Sequence, residues 1–192
     1  RFIYEVRGEG TAILSGLKAG EGLDILAPLG RGFRLNNVKK VLLIGGGIGV
    51  PPLLGVARQH CRLSGIEAEA VLGFRTKSAA ILLEDFSKTV QAVHVATDDG
   101  TLQAHGTVTD TVRSRLEKVR FDLICACGPT PMLKTVAALA EEFSVACQVS
   151  LEERMACGVG ACLVCACALK GKKQYAHVCK DGPVFDYMEV VF

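Results

Sequence analysis

The 192-residue sequence predicts an α/β protein built on a doubly wound parallel sheet, with a short unit of different character on either side. Three observations carry that prediction. Short apolar runs alternate with helical patterns through the middle of the chain. A glycine-rich turn follows the first of those runs. Five of the nine cysteines fall between Cys157 and Cys179, where helical periodicity stops.

Residues 1–37 read as strand, short helix, strand. Phe2, Tyr4 and Val6 alternate, Thr11 caps a short helix through Leu17, and residues 23–26 form a second apolar run closed by Pro28 and Gly30. The stretch is too small to be a domain and opens inside a strand, so it reads as the end of an antiparallel unit that begins before Arg1. In residues 38–149, buried strands are expected at 41–44, 68–72, 92–96, 123–126 and 145–149. Val108, Val112, Leu116 and Val119 share one helix face, and Met132, Val136, Leu139 and Phe143 another. In residues 150–192 glycine and cysteine rise, and 175–178 reads as a short strand. That stretch is expected to be organised by a metal rather than by an apolar core.

Composition narrows the function. Half of the residues are apolar, as in a globular protein, and 22 Lys plus Arg stand against 20 Asp plus Glu. Nothing in that balance calls for nucleic acid or an anionic membrane. The longest apolar stretch, 41–57, is broken by Gly45, Gly46, Gly47, Gly49, Pro51 and Pro52, so no membrane insertion is expected. No signal peptide is visible. Clustered cysteines, odd in number, in an α/β chain point to a metal site in a reducing compartment, hence the cytoplasm.

The cysteines are spaced Cys157-x4-Cys162-x2-Cys165-x13-Cys179. The first three follow the plant-type [2Fe–2S] pattern, with the fourth ligand supplied later. Two irons need four thiolates, three of them from one loop that brings backbone N–H groups close to sulfur. Gly158, Gly160 and Ala161 are small where that closeness is required. Zinc or scattered thiols are the alternatives, but structural zinc more often takes two C-x2-C pairs. Cys167 is the rival ligand and reads as a neighbour. Cys61, Cys125 and Cys147 read as small buried hydrophobes.

The first predicted strand runs into Gly45-Gly46-Gly47-Ile48-Gly49-Val50-Pro51-Pro52 and an apolar helix. Glycines let the backbone approach a pyrophosphate, and the helix N-terminus offers free N–H donors. Proline suits that first turn. Val50 replaces the third glycine of the dinucleotide fingerprint, and no acid ends the second strand, where Leu72 leads into Gly73-Phe74-Arg75. A dinucleotide site of another lineage and a plain tight turn both remain open on this motif alone. Cys127-Gly128-Pro129-Thr130-Pro131-Met132, at the end of a later strand, can line the same crevice. Together the two turns favour nucleotide binding.

A nicotinamide exchanges a hydride, whereas a [2Fe–2S] cluster passes single electrons. A chain with both needs a converter, usually a flavin, and residues 1–37 are its expected remnant.

Taken together, these stretches resemble the electron-transfer subunits of heteromeric, NAD-dependent dihydroorotate dehydrogenase, in the ferredoxin reductase superfamily. The resemblance rests on Gly8-Glu9-Gly10-Thr11, the glycine turn, the Cys127–Met132 turn, Ser150-Leu151-Glu152-Glu153-Arg154-Met155, the cysteine loop and Cys179-Lys180-Asp181-Gly182-Pro183-Val184-Phe185. It implies FAD on a β-barrel domain, NAD on the α/β domain and a C-terminal [2Fe–2S] unit. It also implies an FMN-containing catalytic partner in a heterotetramer with two of each subunit, acting in pyrimidine (UMP) biosynthesis. Electrons would run FMN, cluster, FAD, NAD⁺. By resemblance Ile3, Tyr4, Glu5, Gly10 and Thr11 contact FAD, with Glu5 standing where the family usually has arginine.

No residue reads as a dihydroorotate base. His60, His94, His105 and His177 are expected at surfaces or in loops. Asp98-Asp99-Gly100 reads as a turn after a strand; the resemblance implies that it lies near the loop edge of the nucleotide domain, which makes it a site candidate. Arg75-Thr76-Lys77 is either a solvated basic turn or a 2′-phosphate contact. Two other functions compete: a related reductase subunit serving a sulfhydrogenase or a ferredoxin:NADP oxidoreductase, and a non-enzymatic metal-binding redox sensor.

Overall fold

The computed structural model describes residues 2–61, 64–102, 104–105 and 107–192. The side chains of Ala104 and His105 lie outside that description, and so does the expectation for His105. After helix α1 (Glu9–Gly16), strands β1 (Lys40–Gly46), β2 (Glu67–Phe74), β3 (Ala92–Thr97), β4 (Ala104–His105), β5 (Leu123–Cys127) and β6 (Ala146–Ser150) follow in the chain. Five of these six strands coincide with the apolar runs. A hairpin of β7 (Ala166–Ala168) and β8 (Tyr175–His177) and a last strand, β9 (Val184–Asp186), complete the β-structure.

The main sheet has the order β4-β3-β2-β1-β5-β6-β9. It is parallel from β4 to β6, and β9 joins β6 antiparallel, with Val149 opposite Phe185. The order reverses at β1, which lies between β2 and β5. β1 is buried at every position after Lys40, because helices cover both faces of a parallel sheet.

Helices α2 (Val50–Val56) and α3 (Leu83–Ser87) cover one face, placing Leu53, Leu54 and Phe86 against Leu43 and Leu72. Helices α4 (Val108–Lys118) and α5 (Thr130–Glu142) cover the other, placing Val112, Leu116, Leu133 and Val136 against Leu42 and Ile124. Val119 and Phe143, expected on the helix faces, sit at the C-terminal caps and still pack on the core. The start of α4 is fixed by Asp110, whose Oδ2 accepts the Thr107 N–H at 2.9 Å.

Three expectations change. Residues 2–8 and 17–30 form no strand, because an extended segment needs a ladder partner and the described residues supply none. Phe2, Val6, Ile25 and Leu26 are exposed there. Thr11 does cap the short helix, but from inside it: its Oγ1 accepts the N–H groups of Arg7 (2.9 Å) and Gly8 (3.1 Å). The C-terminal stretch has an apolar core after all. Cys165, Cys167, Ala176, Val178, Cys179, Phe185 and Val190 join the cluster formed by Ile124, Val149 and α5.

Two histidines also differ from expectation. His94 is half-buried on β3, 3.4 Å from Glu69, and His177 is half-buried on β8, 3.4 Å from Asp181. Each ring has found a carboxylate partner, which a scattered histidine in a sequence does not reveal.

Candidate functional site

The two turns singled out in the sequence meet where the strand order reverses. β1 and β5 are neighbours, with Gly45 opposite Cys127. A Cβ on Gly46 would lie 2.7 Å from Met132 Sδ, and one on Gly128 would lie 2.6 Å from Met132 Cε. A Cβ on Gly49 would run into the Cys127 carbonyl. These glycines are therefore small because two backbone segments and the Met132 side chain crowd together, forming the floor of a crevice at the carboxyl ends of the strands. Gly47, by contrast, has φ +53° with open space around it, so there glycine answers a conformational need. Ile48 is 40% exposed at the rim. Pro51 and Pro52 occupy the first turn of α2, where a missing N–H leaves no bond unmade.

Cys127 closes the crevice beside β6. Burial raises its thiol, and a hydrogen bond with Ser150 partly offsets that. Cys61 is pushed up to about 11 and Cys147 to about 12 by burial, and Cys125 goes up as well. All three are buried in the core, as small hydrophobes would be.

The four spaced cysteines converge as two pairs. Cys157 and Cys162 share a side-chain hydrogen bond, Cys165 and Cys179 another, and the Cys157 charge reaches Cys179. Backbone donors crowd the sulfurs. The Ala161 N–H lies 3.3 Å from Cys157 Sγ, and the Cys179 N–H lies 3.4 Å from Cys165 Sγ. With further donors from Val159 and Cys162, Cys157 falls to about 6. Gly158 and Gly160 have φ +72° and +77°, the left-handed geometry that aims successive N–H groups inward. A Cβ on Gly160 would also strike Lys180 Cδ at 2.7 Å.

This donor set fits a two-iron cluster. A [2Fe–2S] cluster takes one thiolate pair per iron and gains from N–H groups aimed at sulfur. Cys167 stands apart in the middle of β7, opposite Ala176, with burial raising its thiol.

Sequence reasoning missed what holds this loop. Asp181 Oδ2 accepts the His177 N–H at 2.9 Å, and the His177 carbonyl accepts the N–H groups of Lys180 (3.0 Å) and Asp181 (2.7 Å). The turn around Cys179 is thereby closed, and Asp181 stays below the usual carboxylate range because of that backbone bond. An Asp-Gly pair after the cysteine was the available signal. Gly30 packs on the Gly182 carbonyl, which accepts the Arg31 N–H, and Val184 N–H donates to the Arg31 carbonyl at 3.3 Å.

In the N-terminal stretch, Ile3 is half-buried, Tyr4 and Glu5 are exposed, and Gly10 has open space around it. Glu5 is paired with Arg7 at 2.8 Å. Arg7 thus provides the cation in this segment and offsets the Glu5 charge. Asp98 and Asp99 form a turn closed by the Gly100 N–H to the Thr97 carbonyl at 2.9 Å.

Comparison with known proteins agrees with this geometry. A family described as the iron–sulfur cluster binding domain of dihydroorotate dehydrogenase B matches residues 152–191, and the oxidoreductase NAD-binding domain matches 43–138. The electron transfer subunit of dihydroorotate dehydrogenase B (NAD(+)) from Bacillus caldolyticus is 47% identical, over 98% of this chain and 73% of its own length. The same subunit from Streptococcus mutans serotype c is 48% identical with equal coverage. Among solved structures, the NADH-dependent reduced ferredoxin-NADP oxidoreductase aligns with a TM-score of 0.87 and 35% identity. That alignment covers 98% of this chain and 67% of the other. The C-terminal domain of PF1911 hydrogenase from Pyrococcus furiosus aligns with a TM-score of 0.55 and 22% identity. It covers 65% of this chain and 100% of its own, a likeness of fold alone.

Proposed function

This chain belongs to the family of electron-transfer subunits of NAD-dependent dihydroorotate dehydrogenase B, and from that premise we propose that it carries electrons from an FMN-containing dihydroorotate dehydrogenase partner to NAD⁺. When bound, a [2Fe–2S] cluster supplies one-electron transfer, and FAD converts between single electrons and the hydride that NAD takes. The chain's own residues bind and orient these groups. Cys157, Cys162, Cys165 and Cys179 hold the cluster, and the N–H groups of Ala161 and Cys179 tune it. Gly45, Gly46, Gly47, Ile48 and Gly49, with Cys127, Gly128, Pro129 and Met132, take the dinucleotide. Ile3, Tyr4, Glu5, Gly10 and Thr11 contact the flavin.

The units divide as 1–37 for flavin, 38–149 for nucleotide and 150–192 for the cluster. The partner completes a heterotetramer with two of each subunit, working in UMP biosynthesis in the cytoplasm. Among the described residues no helix is long and apolar enough to cross a membrane.

The observation that carries the reading is the pairwise convergence of four thiols beside a glycine-floored crevice. The test is the purified full-length protein with and without its partner. Alone, it should reduce a dye with NADH and leave dihydroorotate untouched; with the partner, dihydroorotate should reduce NAD⁺. Dihydroorotate oxidation without a partner would sink the proposal. The 35% identity to a ferredoxin-NADP oxidoreductase favours a second reading, a reductase serving a ferredoxin. Ferredoxin reduction faster than dihydroorotate-linked turnover in the same preparation would reverse the order.

A further inference from the structure

The two left-handed glycines of the cysteine loop are each covered by a long side chain from elsewhere in the chain. Leu29 and Leu26 cover Gly158, with methyl carbons 3.1 and 3.4 Å from where its Cβ would lie. Lys180 covers Gly160, with Cδ, Cβ and Cγ at 2.7, 3.2 and 3.5 Å from the corresponding position. Three carbons of the lysine stem thus lie along one glycine, while Lys180 as a residue stays exposed. A lysine stem can lie on a surface and keep its ammonium in water. Here that surface is the loop that carries three of the four spaced cysteines.

The stem is aimed by a pinned backbone. Lys180 directly follows Cys179, and its N–H donates to the His177 carbonyl at 3.0 Å in the turn that Asp181 closes. Cys179 is 3% exposed, and its sulfur accepts the Gly160 N–H. The Lys180 stem therefore lies over the residue that donates to a buried sulfur, and its ammonium is tethered one residue from that sulfur. Among the described residues Lys180 enters no ion pair. Asp181, its neighbour in the chain, feels the Lys180 charge, but its Oδ2 is committed to the His177 N–H at 2.9 Å.

Reducing a [2Fe–2S] cluster adds one negative charge among its thiolates, so a nearby cation favours the reduced state. The potential also follows the hydrogen bonds to sulfur and the access of water. From this arrangement we infer that Lys180 is a positioning residue of the cluster site: its stem shields the Gly160 N–H bond to Cys179 from water, and its charge raises the reduction potential. The inference rests on Cys157, Cys162, Cys165 and Cys179 as cluster ligands and adds a residue from outside that set. Stem and charge are separable, because methionine keeps the first and removes the second.

The experiment uses the full-length protein with its cluster reconstituted anaerobically. A redox titration followed by electron paramagnetic resonance reads the potential, and bleaching of the visible band in EDTA reads cluster retention. Lys180→Met should lower the equilibrium constant for reduction about threefold, the scale of an exposed charge pair, or about 28 mV for one electron. Lys180→Glu doubles the change in charge and should lower it about tenfold, or about 59 mV. Both differences should shrink as salt rises, and Lys180→Arg should keep the parent potential. Retention should divide the variants differently. Lys180→Met should bleach at the parent rate, whereas Lys180→Ser, which loses the stem, should bleach at least about threefold faster, the scale of one weakened hydrogen bond. Parent potentials in both Lys180→Met and Lys180→Glu, or equal bleaching of Lys180→Ser and Lys180→Met, overturn the inference and leave the cluster ligands standing. A parent protein that takes up no cluster overturns the ligand reading, and the role of Lys180 with it.

Discussion

Replacing Gly49 with alanine should separate close packing from backbone freedom as the reason for glycine in the nucleotide turn. Gly49 has φ −76°, a conformation any residue adopts, so alanine meets no dihedral penalty there. The penalty is contact. The new Cβ would meet the Cys127 carbonyl and lie 2.7 Å from the Gly128 nitrogen. Every one of those atoms is backbone, so no side chain can swing away. The β1–β5 ladder, paired from Val41 opposite Leu123 to Gly45 opposite Cys127, resists separation. The cost should fall near the upper end of the overpacking range, about 3 kcal/mol. For a chain of this size that lowers the thermal midpoint by about 6–12 °C. NADH turnover should fall by about a hundredfold, since the two turns can no longer meet at their present spacing. Gly55→Ala is the internal contrast. It lies in α2, with nothing within 4 Å of the added Cβ, and should gain about 0.5–1 kcal/mol. Circular dichroism melts at one scan rate, with dye reduction by NADH, read both variants. A Gly49→Ala protein that melts within about 1 °C of the parent and keeps its turnover would refute the close approach of the two turns.

Further predictions concern the cysteines and two carboxylates. Cys162→Ser should abolish the visible absorbance of the reconstituted cluster while Cys167→Ser keeps it; the opposite pattern would mean that the ligand set is wrong. Glu69 is buried with Arg115 Nη2 at 2.8 Å and Lys40 Nζ at 3.5 Å, so Arg115→Met should cost about 3 kcal/mol in urea unfolding by removing the two guanidinium donors to Oε2 and leaving the carboxylate to the longer contacts with Lys40 and His94. Adding Glu69→Gln should recover much of the loss, and full additivity of the two changes would argue against the pair. The N–H groups of Lys39 and Lys40 both donate to Asp122 Oδ2 at 2.8 Å and hold this carboxyl below its ordinary value of 3.8. A depressed value means stability that is present above the ordinary value and lost as pH falls below it. The urea midpoint should therefore decline less steeply below about pH 4 in Asp122→Asn than in the parent.

Much of this architecture was legible because it is local. The strands at 41–44 and 123–126 are apolar runs buried on both faces, and such runs read the same in a sequence as in a sheet. The two turns were legible because glycine and proline mark backbone geometry directly. That they touch depends on β1 and β5 being neighbours, which the 76 residues between Gly46 and Leu123 hide from any local reading. A strand is not legible where its partner is remote: the extended pattern of Phe2, Tyr4 and Val6 has no ladder to join among the described residues. The cysteine spacing picked out four thiols that the fold brings together in two pairs, yet the role of Asp181 escaped, because a carboxylate that closes a turn looks like any surface acid until its backbone partners are known.

The missed contacts also set how the three regions stand to one another. Cys127, at the floor of the nucleotide crevice, is opposite Ser150 on β6. Ser150 is opposite Val184 on β9, which follows directly from the turn holding Cys179. Val184 N–H then donates to Arg31, in the segment leading back to the N-terminal stretch. Each step is one strand spacing, so the crevice floor and that segment are separated by about 15 Å of hydrogen-bonded backbone. Leu29 completes the link, standing 3.1 Å from where a Cβ on Gly158 would lie in the cysteine loop. The spacing between the proposed cluster site and the nucleotide crevice is therefore set by the sheet itself rather than by a hinge. Surface substitutions should leave it alone, whereas a side chain at Gly30 or Gly182 would force the β9 edge and the cysteine loop apart together.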